Sequence, residues 1–359
     1  MSATSQPVPL MSMHNRIPSL DGLRAIAISF VIAEHAAQRG AAWIPARASG
    51  YLLVLAYNGV KIFFVLSGFL ITSILLREFG KSGTISLKKF YWRRSLRIFP
   101  AMYAFLAAVG VGYLIGIVRI GTESPFRIFS AALYLSDYLP INSWPLHHTW
   151  SLSVEEQFYL LWPALLLICG IRRAALFPGL LVIVALVSRA FAFDEYRFDS
   201  IADSIAVGCL VAIYRPRLES LLSRWWPRSI PLSALLVFPV IAIPLSNTFS
   251  RHFMFSALVG IPLFNIAVGI AMLGAILNPP AWLNAAPMVW LGQISYSLYL
   301  WHIPWAADTR TGWLWLPGAV LCAWFSYRFI EQPVLRWRDR GASVTLPEIA
   351  KEPVSSYTQ

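Results

Sequence analysis

Apolar residues in this chain fall into long blocks separated by short basic or proline-bearing stretches. The dominant signal is therefore the membrane-length segment, not an amphipathic period. The blocks lie near 20–38, 51–76, 98–119, 151–169, 174–192, 199–214, 231–246, 255–277, 288–307 and 312–331. Each predicts a helix, because a segment in lipid must satisfy its own backbone polar groups. The expected fold is all-α, a polytopic integral membrane protein with about ten transmembrane helices. Several blocks are shorter than the usual ~20 residues, so their ends are loose. Segment 126–140 is apolar but short and reads as an interfacial or re-entrant piece. Pro163, Pro244, Pro262 and Pro304 fall in or near spans, where neighbouring helices can re-satisfy the freed carbonyls. The expected division is a polar N-terminal tail at 1–19 without a signal-peptide cleavage pattern, a membrane domain at 20–335, and a cytoplasmic tail at 336–359.

Composition sharpens this picture. Of 359 residues, 57% are hydrophobic and 13% charged, and mean hydropathy is +0.61. Soluble domains carry about 25% charged residues. The formal charge of +12 comes with no nucleic-acid-binding motif, so it points to the lipid bilayer and not to nucleic acid. With a cytoplasmic N-terminus, 18 Lys and Arg flank the inner ends of the spans and 8 flank the outer ends. That asymmetry, with an even helix number, predicts both termini in the cytoplasm. Cys169, Cys209 and Cys322 lie in apolar runs without metal or disulfide spacing, and read as packing residues.

Within these blocks, a few polar residues carry the candidate chemistry. Arg24 and His35 are eleven residues apart, so they share a helix face to within about 20° and lie roughly 16 Å apart along the axis. Ionisable residues inside a membrane segment mark function by default. The structural alternative is a histidine bonded to a carbonyl and an arginine snorkelling to headgroups or pairing with Asp21. Arg93, Arg94 and Arg97 cluster at an inner helix entrance, either as topology anchors or as an anion clamp suited to phosphate. His147, His148 and Trp150 precede Glu156 at an outer helix start, where Ser153 and Glu156 also fit a capping box. Lys61 reads as an outer anchor, Ser67 and Gly68 as close-packing residues. Asp199 and Asp203 are like charges at i, i+4 and call for a partner such as Arg197. Tyr296 and His302 climb another helix outward, as an interfacial belt or as a wall of an acceptor site. Arg328 and Glu331 form an i, i+3 pair at the end of the last span.

The order of these elements resembles the acyltransferase 3 family. The resemblance rests on Leu20-Asp21-Gly22-Leu23-Arg24 with His35, on Phe63 to Ile71, on Arg94-x-x-Arg97-Ile98, and on His148-Thr149-Trp150-Ser151-Leu152 followed by Glu155 to Tyr159. Asp203 with Gly208, the stretch Ile294 to His302, and Phe329-Ile330-Glu331-Gln332-Pro333 complete it, over residues 20 to about 335. The resemblance implies a ten-helix enzyme of the bacterial inner (plasma) membrane. Its relatives move acetyl or other short acyl groups from cytoplasmic acyl-CoA to hydroxyls of surface or periplasmic glycans. Some relatives append a soluble hydrolase-like domain, which is not seen here.

The residue pattern fits that chemistry. A pantetheine arm spans roughly 17 Å, about the length of five extended residues, comparable to the Arg24–His35 rise. His35 is expected as general base, with an acyl-histidine as the alternative. Arg24 would hold the acyl-CoA, and Glu156 would orient His35 or the acceptor. Arg93, Arg94 and Arg97 are expected at the phosphates, and His148, Trp150, Tyr296 and His302 on the acceptor side. Acetyl-CoA is expected as co-substrate with no bound cofactor or metal, and a glycan or lipid-linked saccharide as acceptor. A homodimer stays open. The rival function is a proton-coupled transporter of a small metabolite or glycan precursor.

Overall fold

The computed structural model describes residues 17–38, 46–118, 124–139, 144–191, 196–226, 230–246, 253–306 and 315–343. All regular structure among them is helical. The helices are α1 (Pro18–Gln38), α2 (Ala46–Ser82), α3 (Leu87–Leu114), α4 (Ser124–Ala132), α5 (Thr149–Cys169), α6 (Leu176–Phe191) and α7 (Phe198–Ile213). They continue as α8 (Arg215–Trp225), α9 (Val237–Ser246), α10 (Ile261–Leu277), α11 (Ala286–Ala306), α12 (Trp315–Ser326) and α13 (Gln332–Ser343). Each predicted apolar block holds a helix, and segment 126–140 holds the short α4 and a 3₁₀ turn at Ser136–Tyr138. The turn between them passes through Tyr134, a left-handed non-glycine residue at φ 56°, whose ring stacks on Phe99.

By length and composition, five segments among the described residues can cross a bilayer: Asn58–Ser82, Leu87–Leu114, Thr149–Cys169, Ile171–Phe191 and Ser256–Leu277. Their outward faces carry apolar side chains such as Leu114, Ile168 and Phe191, each at least 80% exposed. Such surface is at home in lipid and not in water. The chain is a membrane protein, all-helical among the described residues.

Several boundaries differ from expectation for local reasons. Helix α3 begins at Leu87, well before the apolar block, because Ser86 caps it by accepting from the Lys89 backbone N–H at 3.4 Å. The basic turns therefore stay helical. After α12 the helix widens to a π turn at Tyr327–Glu331 before α13, which covers the start of the expected C-terminal tail. That turn leaves Glu331 buried, where it accepts from the Ser297 hydroxyl of α11; it does not pair with Arg328. The remainder of both predicted tails lies outside the described residues.

Small residues set the tightest crossings. A Cβ on Gly68 of α2 would collide with the Ile205 carbonyl of α7, and one on Gly208 of α7 with the Val65 carbonyl of α2. The two backbones touch there, the close approach that small residues permit in membrane helices. A Cβ on Gly292 of α11 would likewise meet the Asp21 carbonyl of α1. Helices α1, α2, α7 and α11 thus form a tight unit. One apolar core joins Ile28, Phe64, Phe105, Phe158, Trp162 and Leu298, and a second joins Leu66, Phe69, Phe264 and Met272.

Charges expected at the surface are partly inside. Lys61 is buried, its ammonium 3.3 Å from the Asn58 side chain, so it is not an interfacial anchor. Arg189 is one of the eight basic residues that the sequence places at the outer ends of the spans. It is buried against Asp203 instead, while Arg197 pairs with Asp199 at 3.0 Å. Of the other outer charges, Arg39, Arg47, Arg119, Arg251 and Arg310 have side chains outside the described residues.

Candidate active site

Helices α1, α2, α3, α5 and α11 surround a cavity of about 730 Å³, counting its open mouth. Arg24, Arg94 and Arg97 line it, as do Glu155, Glu156, Ser67, Ser151, Ser295, Tyr296 and Tyr299. Arg94 and Arg97 are three apart on α3, so both face the cavity; Arg93 is turned about 100° away and is exposed outside it. The Arg94 guanidinium lies 3.7 Å from the centre of the Tyr159 ring, and its Nε is buried without a hydrogen-bond partner. Arg24 reaches Asp21 at 3.4 Å, the pairing weighed from sequence as the structural alternative. Ser67 donates to Glu155 at 2.6 Å, and Tyr296 donates to the Ile98 carbonyl at 3.0 Å. The cavity thus brings three guanidinium groups together with two carboxyl groups, and Asp21 stands beside Arg24.

Glu156 is in this wall and not in a cap. Helix α5 starts at Thr149, so Ser153 lies inside it, donating to the Thr149 carbonyl at 3.0 Å and accepting from the Ser136 N–H at 3.1 Å. The capping box is therefore not formed.

Directly behind the cavity lie the histidines. His35 is 6% exposed, and its Nδ1 sits 2.9 Å from the Val31 carbonyl oxygen. A carbonyl only accepts, so that nitrogen carries the proton and Nε2 holds the lone pair. His302, from α11, places its ring 4.9 Å from that of His35, and His147 places its ring 6.3 Å away. His148 packs between Phe105 and Tyr299, 5.5 and 5.4 Å between ring centres, with neither ring nitrogen hydrogen-bonded. Burial pushes His147 down to about 4 and His148 well below the ordinary histidine value. Both are neutral near pH 7.

A thin wall separates the two sites. Ser151 and Tyr299 join hydroxyls at 2.5 Å, and both reach the His148 carbonyl, at 3.1 and 3.2 Å. Phe63 packs edge-on against Tyr299. The ring centres of Tyr299 and His302 are 5.6 Å apart. Among the described residues, no histidine lines the cavity.

Of the residues singled out in the sequence, Arg24, Arg94, Arg97, Glu156 and Tyr296 come together in the cavity. His35, His148 and His302 come together behind it. Trp150 packs into the core against Phe64 and Tyr196, 6.1 and 5.1 Å between ring centres. Ser67, Ser151, Glu155, Tyr159 and Tyr299 were not anticipated as site residues. The helical period held a signal for two of them: Ser151 and Glu155 are i, i+4, as are Leu152 and Glu156, and all four line the cavity.

Comparison with known proteins agrees with this architecture. Over 359 aligned positions the chain is 29% identical to the peptidoglycan O-acetyltransferase OatA of Listeria monocytogenes, covering 89% of this chain and 56% of that protein. It is 29% identical to YrhL of Bacillus subtilis, whose name as a peptidoglycan O-acetyltransferase is provisional, covering 89% of this chain and 55% of that one. The chain thus spans little more than half the length of these relatives. No solved structure matches it. The family model described as an acyltransferase domain matches residues 17–328, nearly the whole of the helical assembly, and the chain belongs to the acyltransferase 3 family.

Proposed function

We propose that the chain is a membrane O-acyltransferase that moves an acetyl group from cytoplasmic acetyl-CoA to a hydroxyl of a cell-envelope glycan, with His35 as general base. In this reading the ten apolar helical segments span the inner (plasma) membrane, both termini face the cytoplasm, and the cavity opens on the basic side. The observation that carries it is the basic cavity ending one side chain short of a buried histidine whose Nε2 bears a lone pair. Arg94, Arg97 and Arg24 suit the phosphates, as guanidinium forks do. The thioester end of the donor points towards Phe63, Ser151 and Tyr299, which must turn aside for it to meet His35. The names of the relatives bring peptidoglycan forward as the glycan.

The step balances without further reagents. His35 Nε2 takes the proton of the acceptor hydroxyl as its oxygen attacks the thioester carbonyl. The carbon–sulfur bond breaks, and the departing thiolate receives that proton from His35. General-base assistance of this kind contributes roughly 10²–10⁴-fold.

The test uses cells making the full chain, with ester-linked acetate released from the envelope by mild base and identified by mass spectrometry. His35→Ala is expected to abolish that acetate while the purified variant still binds acetyl-CoA. Replacing Arg94 and Arg97 by Ala is expected to weaken acetyl-CoA binding. Envelope acetate retained by His35→Ala overturns the base assignment; unchanged acetyl-CoA affinity returns the arginines to an anchoring role.

A further inference from the structure

His302 is fully buried, and both of its ring nitrogens are engaged inside the protein. Nδ1 lies 2.7 Å from the Tyr299 carbonyl oxygen and 3.2 Å from that of Leu298. Carbonyls only accept, so Nδ1 carries the proton and Nε2 holds a lone pair. That lone pair faces the Nδ1 of His35 at 3.2 Å. The Nδ1 of His35 is itself protonated by the same reasoning, since it lies 2.9 Å from the Val31 carbonyl oxygen. The two tautomers interlock: the carbonyls of α11 fix His302, and His302 receives the N–H of His35.

We infer that His302 is the positioning residue of His35, an uncharged orienter that receives the Nδ1–H and holds Nε2 as the base. This rests on the proposed function and deepens it. It also removes His302 from the acceptor-contact role, since its ring has no nitrogen left for a sugar hydroxyl. The logic is that of a base oriented by a third group. There a carboxylate commonly fills the position; here a neutral imidazole does.

The Val31 bond alone is not equivalent. It comes from the same helix as His35, so it moves with it. The His302 contact comes from α11 and fixes the ring relative to a second helix. When Nε2 takes the acceptor proton, His35 becomes a buried imidazolium. The His302 lone pair then receives a hydrogen bond from a charged donor, which is worth about twice a neutral one. The stabilisation therefore grows towards the transition state, which is where it accelerates the reaction.

The test compares His302→Leu, His302→Phe and His302→Gln in the full chain. Envelope acetate is normalised to protein level, with acetyl-CoA affinity and thermal unfolding measured on the purified proteins. Leu and Phe remove the acceptor; the Gln side-chain carbonyl supplies one at the position of Nε2. The expected result is a loss of at least about 10-fold in envelope acetate for Leu and Phe, and less than about threefold for Gln. Acetyl-CoA affinity should stay unchanged in all three, which a generally disturbed site would not allow. Phe, which keeps a ring, stands in for Leu if Leu does not fold. A folded Leu or Phe variant with wild-type acetate overturns the inference, as does a folded Gln variant as inactive as Leu. His35→Ala measured alongside separates the two proposals. If it keeps its acetate, the base assignment fails. If it loses acetate while His302→Leu does not, only the positioning role fails.

Discussion

Arg189 of α6 and Asp203 of α7 form a buried ion pair. The guanidinium grips the carboxylate with two bonds, at 3.1 and 2.8 Å, and adds a third to the Ser200 carbonyl at 2.8 Å. The side chains are 1% and 2% exposed. Removing one partner strands the other charge away from water, a loss of roughly 3–5 kcal/mol. Removing both strands nothing, so Arg189→Ala with Asp203→Ala together should be milder than the sum of the two single changes by about 2 kcal/mol or more. At roughly 2 °C per kcal/mol for a chain of this size, each single variant should melt about 6–10 °C lower. Scanning fluorimetry of the wild type, both singles and the double in one detergent gives the full cycle. Single shifts below about 2 °C, or a double equal to the sum of the singles, would refute the argument that burial makes this pair costly to break.

Two further outcomes follow from groups outside the histidine cluster. Ser67→Ala removes the 2.6 Å bond to Glu155; hydrogen bonds to charged groups are worth about 1.5–3 kcal/mol, so at roughly 2 °C per kcal/mol the melting temperature should fall by about 3–6 °C. An unchanged melting temperature would mean that Ser67 only packs. Asp137 lies in the turn before α5, where burial raises its carboxyl to about 6; Gln157 holds one oxygen at 2.8 Å and the other has no hydrogen-bond partner. The folded chain therefore keeps a proton that the unfolded chain releases, so stability falls as pH rises from about 4 to 6 and the deficit persists above that window. Asp137→Asn keeps the Gln157 bond and removes the charge. It should melt a few degrees above the wild type at pH 7.5 and level with it near pH 4. A difference independent of pH would contradict this sign.

Much of the architecture was legible because lipid forces a simple code. Ten apolar blocks became helices, and the 3.6-residue period put Arg24 and His35 on one helix, Arg94 and Arg97 on one wall. What one chain could not reveal was pairing between helices. Arg189 and Lys61 read as surface charges because their partners and burial depend on how the helices pack. Glu156 read as part of a cap because Ser153 stands three residues before it; the helix begins earlier and releases it. Ser67 looked like a packing residue beside Gly68, and Gly68 is one. One position along, Ser67 faces α5 and Glu155. His302 was found by its place in a familiar stretch, but its hydrogen bonds to backbone carbonyls and to His35 required coordinates.

The wall of Phe63, Ser151 and Tyr299 carries an electrical consequence. A living membrane holds a voltage, and each charge leaking across it dissipates about 2.3 kcal/mol per 100 mV. A continuous aqueous duct from a polyanion pocket to the histidines would invite such a leak at every moment the enzyme stood idle. In the proposed function, one phenol, one short hydroxyl contact and one apolar ring keep that route shut at rest, and what passes must displace those three side chains.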